Sequence, residues 1–154
     1  MHARFADHGQ SVYAFGAEFL VRCPRCGGRA VVRPRPATEA PARLFTPRRL
    51  TCARCGYARD GDTGPLWIGG PVDWYFHQPL WLQTPCAGHT LWAYNAEHLA
   101  FLEGYVGAGL RQRRPNVNRS LASRLPRWLL DAKLRADVLV GTRRLREHLA
   151  DDAS

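Results

Sequence analysis

The chain has 154 residues, 45% apolar and 23% charged, a balance that suits a globular protein and excludes a disordered one. Lys and Arg outnumber Asp and Glu by 22 to 13, a formal charge of +9, and Lys133 is the only lysine. Five cysteines are too few and too oddly numbered for a secreted disulfide scaffold, so clustered thiols point to a metal in a reducing, cytoplasmic setting.

The first seven residues lack the apolar core of a secretory signal. Charge then divides the chain into three. Residues 1–60 hold eleven arginines against four acids, residues 111–154 eleven basic against five acidic, and residues 61–110 no Lys or Arg but nine of the sixteen aromatics. The middle therefore reads as core or interface, and the flanks as solvated surfaces suited to a polyanion.

In chain order, residues 18–22 and 30–33 read as short strands around the turn Cys23-Pro24-Arg25-Cys26-Gly27-Gly28. Pro34, Pro36 and Pro41 make the next stretch a loop. Residues 48–52 lead into a second turn, Cys52-Ala53-Arg54-Cys55-Gly56-Tyr57. Residues 60–65 are rich in turn signals, and short extended pieces follow around residues 69–71. Residues 74–96 are uncharged and long enough to span a bilayer, but His77, Gln78, Pro79, Gln83, Pro85, His89 and Asn95 would each need a partner in hydrocarbon. That segment is expected inside a soluble fold, with no membrane partner.

Asn95 is a good N-cap with Glu97 behind it, and Leu99, Leu102, Val106 and Leu110 recur at helical spacing. Arg111, Arg113 and Arg114 suit the C-terminal end of that helix before Pro115. A second helical signal follows Ser120, with Leu121, Leu125 and Trp128 on one side and Pro126 breaking or restarting it. A third runs over residues 132–149, with Leu134, Val138, Leu145 and Leu149 as its stripe.

The chemical signal is in the cysteine pairs. A two-residue gap lets both thiolates of a tight turn converge on one ion, and a following glycine relieves the backbone where amides approach sulfur. Cys23, Cys26, Cys52 and Cys55 thus make a tetrahedral four-cysteine site, closed and structural, with zinc as the expected metal; iron shares this ligand set, and free thiols or disulfides are the plain alternative. The segment 18–59 resembles zinc-ribbon modules, in particular the transcription-factor-B-type ribbon and the rubredoxin-like knuckles of nucleic-acid enzymes. The resemblance rests on the two six-residue turns quoted above and implies a small metal-held antiparallel sheet. Residues 79–86, 91–99, 120–128 and Ala132-Lys133 are similar to a group of small bacterial zinc-ribbon proteins. That likeness implies architecture and no activity, and Leu134 stands where the pattern has Asn.

Other residues carry competing readings. Cys86 and His89, with His77 and His98, have the ligand types for a second metal, or for a nucleophilic thiol beside a base; the plain reading is a buried cysteine and hydrogen-bonded histidines. Arg22, Arg25, Arg29, Arg48, Arg49 and Arg54 flank the knuckles as phosphate readers, with Arg119, Arg124, Arg127, Lys133 and Arg135 as a second basic surface, or all form an ordinary solvated surface. Trp67, Trp74, Tyr75, Phe76, Trp81 and Trp92 are core or a protein anchor, or base-stacking platforms if exposed. No phosphate loop, His-Glu-x-x-His, nucleophile elbow or deaminase signature is present, and no small-molecule substrate is suggested.

The expectation is an α+β protein: a zinc ribbon held by four cysteines over residues 15–60, an aromatic and helical region over 61–150 packed with it and containing about three helices, and tails at 1–14 and 151–154. The expected function is a cytoplasmic zinc-ribbon adaptor, not an enzyme, that binds nucleic acid or a nucleoprotein machine. A protein-interaction or self-associating module is the alternative, and a metalloenzyme at Cys86 and His89 follows it.

Overall fold

The computed structural model describes residues 5–6, 18–35, 47–61, 66, 68–107, 111–112 and 126–151. After the two-residue strand β1 (Phe5–Ala6), strands β2 (Phe19–Arg22), β3 (Arg29–Pro34), β4 (Arg48–Thr51) and β5 (Ala58–Gly61) form an antiparallel sheet in sequential order. Register places Phe19 opposite Val32 and Val32 opposite Leu50, so one buried row crosses three strands. Alternation of this kind keeps one face of the sheet on the core. Because β2–β3 and β4–β5 are hairpins of the same sense, their two cysteine turns emerge at the same end of the sheet.

The other edge of β2 is covered by the aromatic middle of the chain. Trp81 N donates to Leu20 O, Leu20 N to Tyr94 O and Arg22 N to Pro79 O, each at 2.9 Å. The edge backbone is thereby satisfied, as a buried strand requires. Beyond it, β6 (Leu82–Cys86) and β7 (His89–Ala93) form a hairpin around Ala87 and Gly88, both at positive φ (50° and 81°). Two left-handed residues make the turn that matches strand twist. The sequence pattern did not reveal this hairpin; Pro85, a poor strand residue, is exposed on a two-stranded ribbon where its missing amide costs little.

Helix α1 (Ala96–Gly107) starts where Asn95 predicts. Asn95 Oδ1 accepts from His98 N at 2.9 Å, while Asn95 Nδ2 donates to Glu18 O at 2.6 Å, so the cap also holds the entry to β2. The helix does not run on to the arginines. It ends at Gly107, and Arg111–Gln112 form strand β8, parallel to β1. Glycine at positions 104 and 107 weakens the helix before the expected basic end. Phe5–Ala6, within the stretch expected as a tail, is thus paired. Leu110, Arg113, Arg114, Pro115, Leu121 and Leu125 lie outside the described residues.

Two helices are described in the C-terminal half, not three. Around Trp128 the chain makes a short 3-10 turn, Arg127–Leu130, and a second, Ala132–Leu134, before helix α2 (Arg135–Asp151). Pro126 precedes the first turn and Asp131, whose Oδ1 accepts from Lys133 N at 2.9 Å, caps the second. Val138, Gly141, Thr142 and Leu145 are the buried face of α2. Gly141 sets its approach to the hairpin: a Cβ there would stand 2.7 Å from Leu91 Cδ2 and 3.3 Å from Cys86 Sγ.

Phe19, Trp74 and Tyr94 form the aromatic centre, with mutual edge-on contacts at 5.1, 5.3 and 5.5 Å. Asp73, fully buried, folds the loop around them: its carboxylate accepts from Tyr75 N (2.9 Å), Phe76 N (2.7 Å) and Gln78 N (2.7 Å). No helix among the described residues is long and apolar enough to cross a membrane.

Candidate metal centre

Each knuckle is closed by the same two backbone bonds. Gly27 N donates to Cys23 O and Gly56 N to Cys52 O, both at 2.9 Å; Cys23 N donates to Gly28 O at 2.8 Å and Cys52 N to Tyr57 O at 2.9 Å. Gly27 and Gly56 sit at φ 75° and 80°, a conformation that side chains resist and glycine adopts freely. The duplicated turn is thus the physical content of the repeated Cys-x-x-Cys-Gly motif.

The four sulfurs converge, all lying within 4.8 Å of one another. Cys23 Sγ is 3.6 Å from Cys55 Sγ, and Cys26 Sγ is 3.6 Å from Cys52 Sγ. Tetrahedral sulfur bonds of about 2.3 Å imply S···S edges of about 3.8 Å, so the cage fits one metal ion. Backbone amides point at the sulfurs: Arg25 N and Cys26 N reach Cys23 Sγ at 3.3 and 3.4 Å, and Gly28 N reaches Cys26 Sγ at 3.3 Å. Burial raises the Cys23 thiol, but the Cys26 and Arg25 amides and the neighbouring thiols outweigh it and bring it down to about 7. At Cys55 the Tyr57 amide lowers the thiol, and burial with the three other cysteine side chains more than reverses this, to about 11. Four thiolates this close would repel one another, so a cation at the centre would suit them. The donor set is positioned to chelate a metal ion.

The other histidine and cysteine candidates are not gathered into such a group; among the described residues the four knuckle cysteines are the only set of three or more ligand-type side chains that converges. Cys86 Sγ is buried and points at Asp137 O in α2, at 3.5 Å, and burial raises its thiol further. His89, its cross-strand partner, is exposed and stacks on Trp128, with ring centroids 4.5 Å apart and planes within 4°. His98 Nδ1 accepts from Tyr94 N at 2.9 Å, and burial pushes the imidazole down to about 3. His77 is exposed, at φ 58° in the Asp73 loop.

The six knuckle arginines separate into two groups. Arg48 is 2% exposed, with its guanidinium 4.4 Å over the Tyr75 ring. Arg49 is bound to Asp60 (Nε–Oδ1 2.6 Å), and Arg29 Nη1 donates to Leu149 O at 3.0 Å. Arg25 and Arg54, inside the two cysteine turns, are exposed, and Arg22 is exposed with its guanidinium 5.7 Å over the Trp81 ring. Of the aromatic block, Trp74 is core, while Tyr75, Phe76, Trp81 and Trp92 are partly buried against it and Trp67 lies outside the described residues. The large apolar side chains exposed among the described residues are Ile68 and Val140. The His89–Trp128 stack and the Arg29–Leu149 bond have no sequence signal, because their partners are 39 and 120 residues apart.

No protein-family model, curated protein or solved structure matches this chain.

Proposed function

We propose that the chain is a zinc-ribbon binding module whose metal is structural and whose knuckles hold arginines against a polyanion, with nucleic acid as the ligand. Four sulfur donors leave no coordination position for water or substrate, so zinc here fixes geometry and performs no chemistry. The observation that carries the reading is the division of the arginines: Arg29, Arg48 and Arg49 bind within the protein and Arg22 lies over the Trp81 ring, while Arg25 and Arg54, inside the two cysteine turns, are exposed. Guanidinium forks on a rigid base lose little entropy on binding phosphate, and the formal charge of +9 favours the encounter.

The test is fluorescence anisotropy with a labelled oligonucleotide across a salt series. Affinity falls steeply with salt, and Arg25→Glu with Arg54→Glu lowers both the affinity and the salt slope. Binding that ignores salt, or survives both reversals unchanged, rejects the reading.

A further inference from the structure

We infer that the nucleic acid is single-stranded and lies along the seam between α2 and β6, from the knuckles to the His89–Trp128 stack. This rests on the polyanion reading above and adds to it a path and a strandedness. Helix α2 runs antiparallel to the β6 direction. Its C-terminal turn meets the chain just before β6, where Trp81 Nε1 donates to His148 O at 3.3 Å and the two rings are 4.6 Å apart. Its N-terminal turn meets the hairpin end, where Cys86 Sγ reaches Asp137 O. Asp137 to Leu149 is about 18 Å of helix at 1.5 Å per residue.

Cations and rings follow one another along that line. Arg22 lies over Trp81, and Trp81 packs on His148. One turn before His148, Arg144 is exposed, and its charge acts on the Cys86 sulfur against the larger opposing effect of the exposed Asp137 carboxylate. At the far end His89 is exposed and stacked flat on Trp128, next to exposed Arg127. The exposed His89 ring, backed by the half-buried Trp128 ring, offers a flat platform to a further ring, and Arg144 and Arg127 are the exposed cations offered to its phosphates. A duplex keeps its base faces covered, whereas an unpaired base stacks on an aromatic at any sequence.

The experiment uses the full chain with its metal, a labelled twelve-nucleotide oligothymidylate, a twelve-base-pair duplex and polyglutamate. The single strand is expected to bind about tenfold more tightly than the duplex or polyglutamate. Trp128→Ala combined with His89→Ala is expected to weaken single-strand binding by about fivefold or more, the smaller end of a lost base stack, while leaving duplex binding unchanged. If the double variant does not fold, photocrosslinking of the wild type to a 5-bromouracil strand gives the answer, with adducts on the peptides containing His89 or Trp128. Equal affinity for duplex or polyglutamate, wild-type binding by the double variant, or adducts only elsewhere overturns the seam. If Arg25→Glu and Arg54→Glu weaken binding and the stack variants do not, the polyanion reading stands and the seam falls. If no oligonucleotide binds, both fall.

Discussion

Arg29 Nη1 donates to the carbonyl of Leu149 at 3.0 Å, so the residue that leaves the first cysteine knuckle also holds the last turn of the C-terminal helix. The carbonyls there carry the negative end of the helix dipole, and a guanidinium is a fitting partner for them. Arg29 O in turn lies 3.8 Å from Cys52 Sγ. The metal cage and the end of α2 are therefore linked through one residue.

Arg29→Ala is expected to lose about 1–2 kcal/mol of stability, as for a charge-assisted hydrogen bond that is partly solvated. Hydrogen exchange should quicken in the last turn of α2 with little change in α1. Uniform loss of protection across both helices would show that the bond does not act locally.

Removing the metal with a chelator should act on the same joint. The knuckles lose their centre, and Trp81, which donates to His148 O, becomes wetter. A red shift in tryptophan emission, reversed by added zinc, is the expected readout. Unchanged emission in metal-free protein would contradict the coupling.

His98 is held neutral, with burial pushing it down to about 3, against about 6.5 in an unfolded chain. Between those values the unfolded state binds more protons, so stability is full above about pH 6.5 and falls as pH drops toward 3. His98→Asn keeps an acceptor for Tyr94 N and removes the titration. In thermal melts the variant should lose less stability than wild type from pH 7 to pH 4.5; parallel curves would refute this.

Asp73 accepts three backbone amides from a fully buried position. Asp73→Asn turns one acceptor into a donor facing amide donors. Each orphaned amide costs about 1–3 kcal/mol, so a large drop in denaturation midpoint is expected, and a change within experimental error would contradict the loop's role.

The metal cage was legible because a Cys-x-x-Cys-Gly turn is local: its backbone bonds close within six residues and its geometry repeats. The cap at Asn95 was legible for the same reason. What was hidden depends on distant contacts. The spacing of Leu99, Leu102 and Val106 located α1, but Leu110, outside the described residues, extended the pattern toward Arg111 and Gln112, which are strand and pair with β1. The sequence pattern did not reveal the β6–β7 hairpin, and Arg48 reads like its neighbour Arg49 until the sheet places one inside over Tyr75 and the other outside on Asp60. Cys86 and His89 have ligand spacing, yet the hairpin turns one inward to α2 and the other outward to Trp128.

The most direct test of the account is zinc X-ray absorption on purified protein with elemental analysis, for wild type, Cys52→Ser and Cys86→Ala. The account predicts one zinc per chain bound by four sulfurs at about 2.3 Å, lost or replaced by a mixed shell in Cys52→Ser and unchanged in Cys86→Ala. Nitrogen or oxygen ligands in the wild type, no zinc, or a loss of zinc with Cys86→Ala would contradict it.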